Sequence, residues 1–423
     1  MLAAFAAAIW RALAARRMAF RLLAAGLAFL PAMLFGVAAV NKYYDYYQTW
    51  GAAFGDLTNQ GAPLQVAVAP GGSRISLARL LGSHVDTALA EQDGFTFRLT
   101  VPGPVSHISR AVWVYLPPQY FQSGYARYHF PVMELIHGFP GVPQDWISIV
   151  GITAALREEI ALGQAKPVVV VMPDANGARG VSLQCLNQLH GPQDATYLAR
   201  DLPRAITKAL RVQPPGRAWG IAGYSEGGFC AADLGLRYWH SYGFAAVLSG
   251  YFVPFDNQLG NPPRLVSPYG NHPRLRREDT PEDLVTSLPA RDRLPLFWLG
   301  AGAGSRLDST NARVFGQLLQ VRQGTVPVRL VKGGQHTMFN WRALVPPMLA
   351  WMTPQLAHNA AQASARVIAR RAEHGLSRLR TARTRVARLG DHVSSGHQSS
   401  GHRKAPHHPR HPKKNHHHPR HLA

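Results

Sequence analysis

Hydrophobic positions between residues 94 and 354 recur in two periods, one typical of strands and the other of helices. Residues 95–101 alternate apolar and polar side chains, which indicates a strand with one buried face. Residues 168–172 are almost wholly apolar and predict a strand buried on both faces. Helical segments such as 146–162 alternate with the strands, so we expect an α/β domain with a doubly wound, mostly parallel sheet. Further strands are predicted at 111–116, 130–136, 217–222, 245–250, 294–300 and 326–331.

An apolar segment near the N-terminus predicts a membrane anchor. Residues 22–40 carry no charge and are about as long as a helix that spans the bilayer core. The basic leader, residues 1–21, precedes them, so the positive-inside bias places it in the cytoplasm and the rest of the chain outside. The alternative is a signal peptide cleaved after residues 37–39, and that too would export the body.

Two stretches lack a clear period. Residues 41–93 carry several glycines and only short apolar runs, so we expect a juxtamembrane linker with little regular structure. Residues 251–293 lose periodicity inside the domain, where Pro, Asn, Gly and Arg accumulate. Long irregular segments within compact domains are usually functional, so this one is predicted to be a lid or a wall of the acyl site.

The C-terminal residues 355–423 form a basic His/Arg-rich tail. Within it, residues 361–389 fit either a basic amphipathic helix or solvated disorder, and residues 390–423 are expected to be disordered. The formal net charge of +22 lies mainly in the two ends of the chain, which argues against a nucleic-acid enzyme. The tail is instead predicted to adhere to anionic envelope polymers.

The residues Gly223-Tyr-Ser225-Glu-Gly227 have the pattern of a nucleophile elbow. A serine hydroxyl attacks a carbonyl only when a base takes its proton, so it must stand on a sharp strand-to-helix turn. An apolar run precedes this motif and a helix-compatible run follows it. We therefore predict Ser225 as a nucleophile, with an ordinary glycine-rich turn as the alternative.

A serine nucleophile needs a base and an acid that orients the base, in the chain order serine, acid, histidine. His336 lies in a glycine-rich loop after a predicted strand and is the predicted base. Asp308 is the first carboxylate after the strand at 294–300 and is the predicted acid. Other acids from the irregular segment remain open: Asp256, Glu282 and Asp283.

Negative charge that develops on the substrate oxygen needs fixed hydrogen-bond donors. The backbone N–H of Glu226, directly after the serine, is one candidate. The backbone N–H of Phe139 is the second, because the loop 137–141 follows a strand and contains two glycines. His137 is then expected to hold this loop.

Neither a metal nor a cofactor is expected in the domain. The two cysteines, Cys185 and Cys230, have no zinc-ligand spacing; in an exported body they form either a disulfide or two buried thiols. The glycine run 300–304 is not a dinucleotide loop, because Ser305 occupies the third glycine position of that motif. The tail residues 416–418 leave metal binding there as an open alternative.

Several of these motifs together resemble one branch of a known family. The chain carries HGFPG at 137–141, then Asp145-Trp146, the GYSEGG elbow and a GGQH loop, and so resembles the esterase D-like α/β-hydrolases. That branch includes feruloyl esterases and secreted mycobacterial mycolyltransferases. The tyrosine-rich segment 40–50 is similar to that of membrane-anchored actinobacterial members. The resemblance implies an α/β-hydrolase fold for 94–354 and the catalytic set Ser225, Asp308 and His336, with Phe139 and Glu226 as oxyanion donors.

The expected function is therefore a serine carboxylesterase, anchored in the membrane and acting on acyl esters outside the cytoplasm through an acyl-serine intermediate. The expected substrate is an ester or an acylated sugar or lipid. An envelope acyltransferase of the mycolyltransferase type is one alternative. A hydrolase-fold envelope-binding protein without catalysis is the other.

Overall fold

The computed structural model describes residues 2–44, 64–67, 85–177, 181–255, 267–270 and 272–394. The chain divides into two compact units, residues 1–364 and 365–423. The described strands all lie in the first unit: β1 (Leu64–Ala67), β2 (Phe95–Pro102), β3 (Ser109–Leu116), β4 (Val132–Ile136), β5 (Val169–Pro173), β6 (Gly216–Tyr224), β7 (Tyr242–Leu248), β8 (Leu296–Gly302) and β9 (Val328–Val331).

These strands form one sheet in the order β1-β2-β3-β5-β4-β6-β7-β8-β9. Strand β3 is antiparallel to both of its neighbours, and the other described pairs are parallel. The carboxyl ends of the parallel strands therefore meet at one edge of the sheet, where α/β folds assemble their sites. The mostly parallel, α/β-hydrolase-like sheet predicted from the sequence is confirmed.

Helices separate most of the strands. The short helices and the long ones are α1 (Leu2–Tyr44), α2 (Thr87–Asp93), α3 (Asp145–Ser148), α4 (Ile152–Ala161), α5 (Asp194–Thr196), α6 (Leu202–Ala209), α7 (Glu226–Arg237), α8 (Pro273–Glu278), α9 (Pro281–Ser287), α10 (Arg306–Gln323) and α11 (Met338–Ser394). A π-helical turn, Tyr197–Asp201, joins α5 to α6.

The core has two parts, one on each face of the sheet. Val169 and Val171 of β5 belong to one cluster, whereas Val170 and Met172 belong to the other. This split follows from the two-residue period of a strand, because successive side chains point to opposite faces. Because both faces of the sheet are covered, the side chains of β5 are apolar on both sides. Phe229 of α7 packs in the first cluster, and the N-terminal part of α11 packs in the second.

In the stretch predicted to be an irregular linker, residues 41–93, the described residues include the last turn of α1, strand β1 and helix α2. Strand β1 pairs in parallel with Phe97–Thr100 of β2, so the sheet edge supplies the hydrogen bonds that order it. Helix α2 begins after Asp86, whose carboxylate accepts the N–H groups of Ala88 and Leu89.

The irregular segment 251–293 also contains structure, in helices α8 and α9. Each begins with a proline in its first turn, where the missing N–H costs no hydrogen bond. Both are too short to show a helical period in the sequence. Residues 256–266 and 271 lie outside the described residues.

The boundary expected at residue 354 is displaced, because α11 continues through Pro354 to Ser394. Leu356 and Ala360 are fully buried in the first unit, and Gln213 Nε2 donates to the Ala360 carbonyl at 3.2 Å. These contacts hold the helix beyond the proline. Within the tail, residues 361–389 adopt the helical one of the two alternatives. The helix also includes residues 390–394, which were expected to be disordered, and residues 395–423 lie outside the described residues.

At the N-terminus, the predicted anchor 22–40 lies within α1, which contains Pro31. Within the residues that the structure describes, no helix has the length and hydropathy that crossing a bilayer requires. The transmembrane part of the expected fold is therefore not supported here.

Cys185 and Cys230 form a disulfide. It ties the segment that follows β5 to helix α7, and both cysteines are fully buried. The alternative of two free thiols does not hold in this structure.

We expect the disulfide to stabilise the first unit substantially. It closes a loop with a sequence separation of 45 residues, for which the chain-entropy model gives about 4 kcal/mol. The variant Cys185→Ala/Cys230→Ala should lower the urea midpoint accordingly. Reductant should also lower the urea midpoint of the wild type, and it should leave the midpoint of the variant unchanged. A wild-type midpoint that does not change with reductant would contradict the pairing.

Candidate active site

Ser225 is the single residue between β6 and α7, and it lies on a strained turn. Its φ of 56° and ψ of −120° lie in a region that non-glycine residues rarely adopt. Its backbone N–H donates to the Leu248 carbonyl of β7 at 2.9 Å. The turn lifts the hydroxyl away from the backbone at the carboxyl edge of the sheet.

The glycines on either side of Ser225 are required by close backbone contact. A Cβ added at Gly223 would lie 2.0 Å from the Gly227 carbonyl oxygen. A Cβ at Gly227 would lie 2.1 Å from the Ile136 carbonyl oxygen at the end of β4. The first turn of α7 therefore packs directly against the loop that follows β4.

His336 lies in the loop between β9 and α11 and contacts two of the predicted site residues. Its Nε2 lies 2.9 Å from Ser225 Oγ, and its Nδ1 lies 2.8 Å from Asp308 Oδ2. With Nδ1 protonated, the imidazole donates to the carboxylate and accepts the serine proton at Nε2. The edge of its ring meets Trp341, with ring centroids 5.1 Å apart.

Asp308 is buried in the first turn of α10. Ser305 caps this helix, and its Oγ accepts the Asp308 N–H at 3.3 Å. The helix N-terminus favours a negative side chain at this position. The carboxylate is thus fixed where the His336 ring can reach it.

The glycine run at the end of β8 brings the acid and the histidine together. A Cβ at Gly302 would lie 2.3 Å from the Gly334 carbonyl oxygen in the histidine loop. The Gly304 N–H donates to that same oxygen at 2.8 Å. These glycines therefore allow the turn after β8 to pack closely on the histidine loop. This role fits a glycine run that lacks the third glycine of the dinucleotide-binding motif.

Two of the three alternative acids form no hydrogen bond with the histidine in the described structure. These are Glu282 and Asp283, which lie in the first turn of α9. Asp256 lies outside the described residues. Another histidine after Ser225 in the chain, His240, follows α7, and its ring stacks on Trp239 with ring centroids 3.3 Å apart.

The two expected oxyanion donors lie in the elbow and in the loop after β4, two segments that pack against each other. Glu226 is the first residue of α7, so its N–H has no carbonyl partner within the helix. Phe139 lines the cleft beside Ser225. The buried His137 ring contacts the Gly138 carbonyl through Nδ1 at 2.8 Å and accepts the Ala175 N–H through Nε2 at 3.1 Å. These two contacts hold the loop, as expected from the sequence.

The cleft next to Ser225 is lined mainly by apolar and aromatic side chains. Tyr224 stacks on Trp341 beneath it, with ring centroids 4.5 Å apart. Its lining is completed by Gly138, Phe139, Pro140, His336, Thr337 and Met338. Such a surface suits an acyl or aromatic group.

Sequence reasoning missed one buried contact close to the elbow. The Ser182 hydroxyl bonds the Glu226 carboxyl, and both residues are buried. The only available signal was an ionisable residue directly after Ser225, at the start of a helix that is otherwise buried.

No group of three or more His, Cys, Asp or Glu side chains converges as a metal site in the described ranges. Residues 416–418 of the tail lie outside them.

We expect Gly227→Ala to disrupt the elbow. The added Cβ meets backbone oxygen at 2.1 Å, so the variant should lose about 3 kcal/mol or more of stability and its ester turnover. Gly235→Ala is the matched control on the same helix. Its Cβ would come nearest to the Ala245 Cβ, at 3.3 Å, with side-chain atoms of Pro295 and Ile221 at 3.6 and 3.7 Å. The stability of this variant should stay within about 1 kcal/mol of the wild type. Equal losses in urea unfolding would contradict this view of the elbow.

Comparisons with known proteins agree with this geometry. Residues 107–368, more than half of the chain, match the model of the Esterase family, whose description is "Putative esterase". An uncharacterized protein of Corynebacterium glutamicum is 28% identical over 178 residues, which cover 42% of this chain and 40% of that relative. The chain thus matches well under half of the length of this curated relative.

Solved structures share the fold. A ferulic acid esterase has a TM-score of 0.52 at 20% identity, covering 62% of this chain and 99% of that one. An S-formylglutathione hydrolase from Agrobacterium tumefaciens has a TM-score of 0.52 at 16% identity, covering 63% and 96%. A fluorophosphonate-binding serine hydrolase of Staphylococcus aureus has a TM-score of 0.52 at 18% identity, covering 62% and 98%. The resemblance to esterase D-like proteins is confirmed: the chain belongs to the Esterase family.

Proposed function

We propose that this esterase is a serine carboxylesterase that works through an acyl-enzyme on Ser225. One observation carries the proposal: the hydrogen bonds that run from Ser225 Oγ through the His336 ring to Asp308 Oδ2. A serine, an imidazole and a buried carboxylate in this order form a nucleophile, its base and the group that orients the base.

In the first step, Ser225 Oγ attacks the ester carbonyl while its proton passes to His336 Nε2. The tetrahedral oxyanion accepts hydrogen bonds from the N–H groups of Phe139 and Glu226. The intermediate then collapses, the C–O bond to the alcohol breaks, and the alcohol leaves with the proton from His336. Asp308 stabilises the imidazolium that forms between these events.

In the second step, water gives a proton to His336 and attacks the acyl-serine. The second tetrahedral intermediate releases the carboxylic acid, and the proton returns to Ser225 Oγ. The substrate class that fits the cleft is an ester with an apolar or aromatic acyl group, because Phe139, Met338 and Trp341 line it.

Acyl transfer is the second candidate, in the manner of an envelope acyltransferase. The same apolar lining disfavours water beside the acyl-serine, and an alcohol such as a sugar hydroxyl would then accept the acyl group. Adding a sugar acceptor to the ester assay distinguishes the two reactions by their products: ester formation supports transfer, and free acid alone argues against it.

We also propose that the enzyme works outside the cytoplasmic membrane. The Cys185–Cys230 disulfide supports this location, because such bonds persist in oxidising compartments. The sequence supports attachment to the membrane, through the uncharged residues 22–40 after a basic leader. The basic residues of the tail suit an anionic polymer of the envelope as a further partner.

The chemistry is tested with a fluorophosphonate probe and a short p-nitrophenyl ester. Ser225→Ala and His336→Ala should abolish turnover, and Ser225→Ala should abolish labelling. Asp308→Asn should lower kcat by about 10,000-fold, because the imidazole is left in the wrong tautomer. The control Asp283→Asn, on α9, should stay near the wild type. Labelling that survives in Ser225→Ala would overturn the assignment of the nucleophile.

The location is tested by fractionation of cells that produce the full chain. Membrane attachment predicts that the protein stays with the membranes in alkaline carbonate, and export predicts that protease added to intact cells digests the first unit. A chain without residues 2–44 but with a cleavable export signal should appear in the soluble extracytoplasmic fraction. Release of the full chain by carbonate would contradict attachment, and protection from protease would contradict export.

A further inference from the structure

One segment contacts both parts of the chain that contain the proposed oxyanion donors. We call residues 174–187, which follow β5, the β5 loop; residues 178–180 of it lie outside the described part. The Ala175 N–H of this loop donates to His137, whose ring holds the loop that carries Phe139. Ser182 of the β5 loop bonds the carboxyl of Glu226, whose own N–H is the second donor. The β5 loop therefore contacts both donor segments, in addition to the direct packing of the elbow on the end of β4.

The Glu226 carboxyl lies in an unusual place for an acid. The residue is 3% exposed, and its Oε1 has no hydrogen bond of normal geometry among the described residues, although Asn176 and the Gln184 backbone lie beside the carboxyl. Ser182 is completely buried. An apolar side chain would fill the same space without the desolvation cost of a carboxyl group. The disulfide and His137 also fasten the loop. An acid is thus not needed for attachment alone.

Burial raises the pKa of Glu226, and the hydrogen bond from Ser182 opposes this rise. The carboxyl is therefore neutral when the surrounding pH lies below that raised pKa. The groups that face it come from three elements: His137 from the loop after β4, Asn176, Ser182 and Gln184 from the β5 loop, and Tyr251 from the segment after β7.

We propose that Glu226 is a positioning residue for the oxyanion hole, and that its neutral side chain, held by Ser182, fixes the direction of its own backbone N–H. The inference rests on the proposed function. In the neutral form the carboxyl supports the donor without adding charge. In the ionised form it places a negative charge close to the position where the oxyanion develops, and this opposes the reaction.

The sign of the pH dependence follows from this arrangement. Activity is present while Glu226 holds its proton and falls as the pH rises through its raised pKa. Ser182→Ala removes a hydrogen bond that favours the charged form, so the alkaline fall in kcat should move to higher pH. Glu226→Gln cannot ionise, and its profile should lack that fall.

The experiment measures kcat and KM for a p-nitrophenyl ester across the neutral and alkaline range. Glu226→Ala should lower kcat by about 10- to 100-fold, the effect of a misdirected donor, with KM changed by much less. Glu226→Gln should lose less kcat than Glu226→Ala, because its amide oxygen still accepts from Ser182. Glu278→Gln, an exposed acid paired with Arg274 on α8, is the control and should keep the wild-type profile.

A fall in the wild-type kcat with rising pH that persists in Glu226→Gln, or stays in place in Ser182→Ala, would overturn the proposal. A wild type whose kcat shows no such fall while it stays folded would overturn it too. If Glu226→Ala does not fold, as judged by circular dichroism, the other two variants still decide it. Failure of the proposed function is a different result: the wild type itself would neither turn over the ester nor bind the fluorophosphonate probe.

Discussion

The close backbone packing around Ser225 sets the position of everything else in the site. Gly223 lies against Gly227, and Gly227 lies against the Ile136 carbonyl, with no room for a Cβ at either glycine. The elbow and the end of β4 are therefore one packed unit. Because the loop that carries Phe139 starts at that end, the proposed nucleophile and one proposed oxyanion donor are held relative to each other by this packing. The strained backbone of Ser225 is held by this packing.

The same edge of the sheet receives one part of the site from each of several strands. The loop after β4 carries Phe139, the elbow after β6 carries Ser225, and the loop after β9 carries His336. The turn after β8 leads to Asp308 and packs on the histidine loop through Gly302 and Gly304. The parallel sheet thus converts a chain separation of 111 residues between Ser225 and His336 into one hydrogen bond.

Much of this arrangement could be predicted from the sequence because it depends on local patterns. The apolar runs of β5 and β8 and the glycines around Ser225 each have a direct physical cause. The position of Asp308 followed from chain order alone, and the structure places its carboxylate on His336.

Other features left no local pattern. Strand β1 has four residues and depends on pairing with β2. Helix α11 continues past Pro354 because Leu356 and Ala360 are buried, which the sequence could not reveal. The state of Cys185 and Cys230 remained open because pairing depends on where the chain places them. The bond from Ser182 to Glu226 joins residues 44 apart and has no sequence signature.

The proposed reaction passes through an ester on the Ser225 hydroxyl. Trapping this acyl-enzyme is the measurement that decides whether the ester forms. The wild type is mixed with a p-nitrophenyl ester, quenched in acid within the first turnover and digested for mass spectrometry. The peptide that contains Ser225 should gain the mass of the acyl group, with the modification on that serine. The same peptide from Ser225→Ala should gain no acyl mass. Rapid product release with no acylated peptide, or an acyl group on another residue, would contradict it.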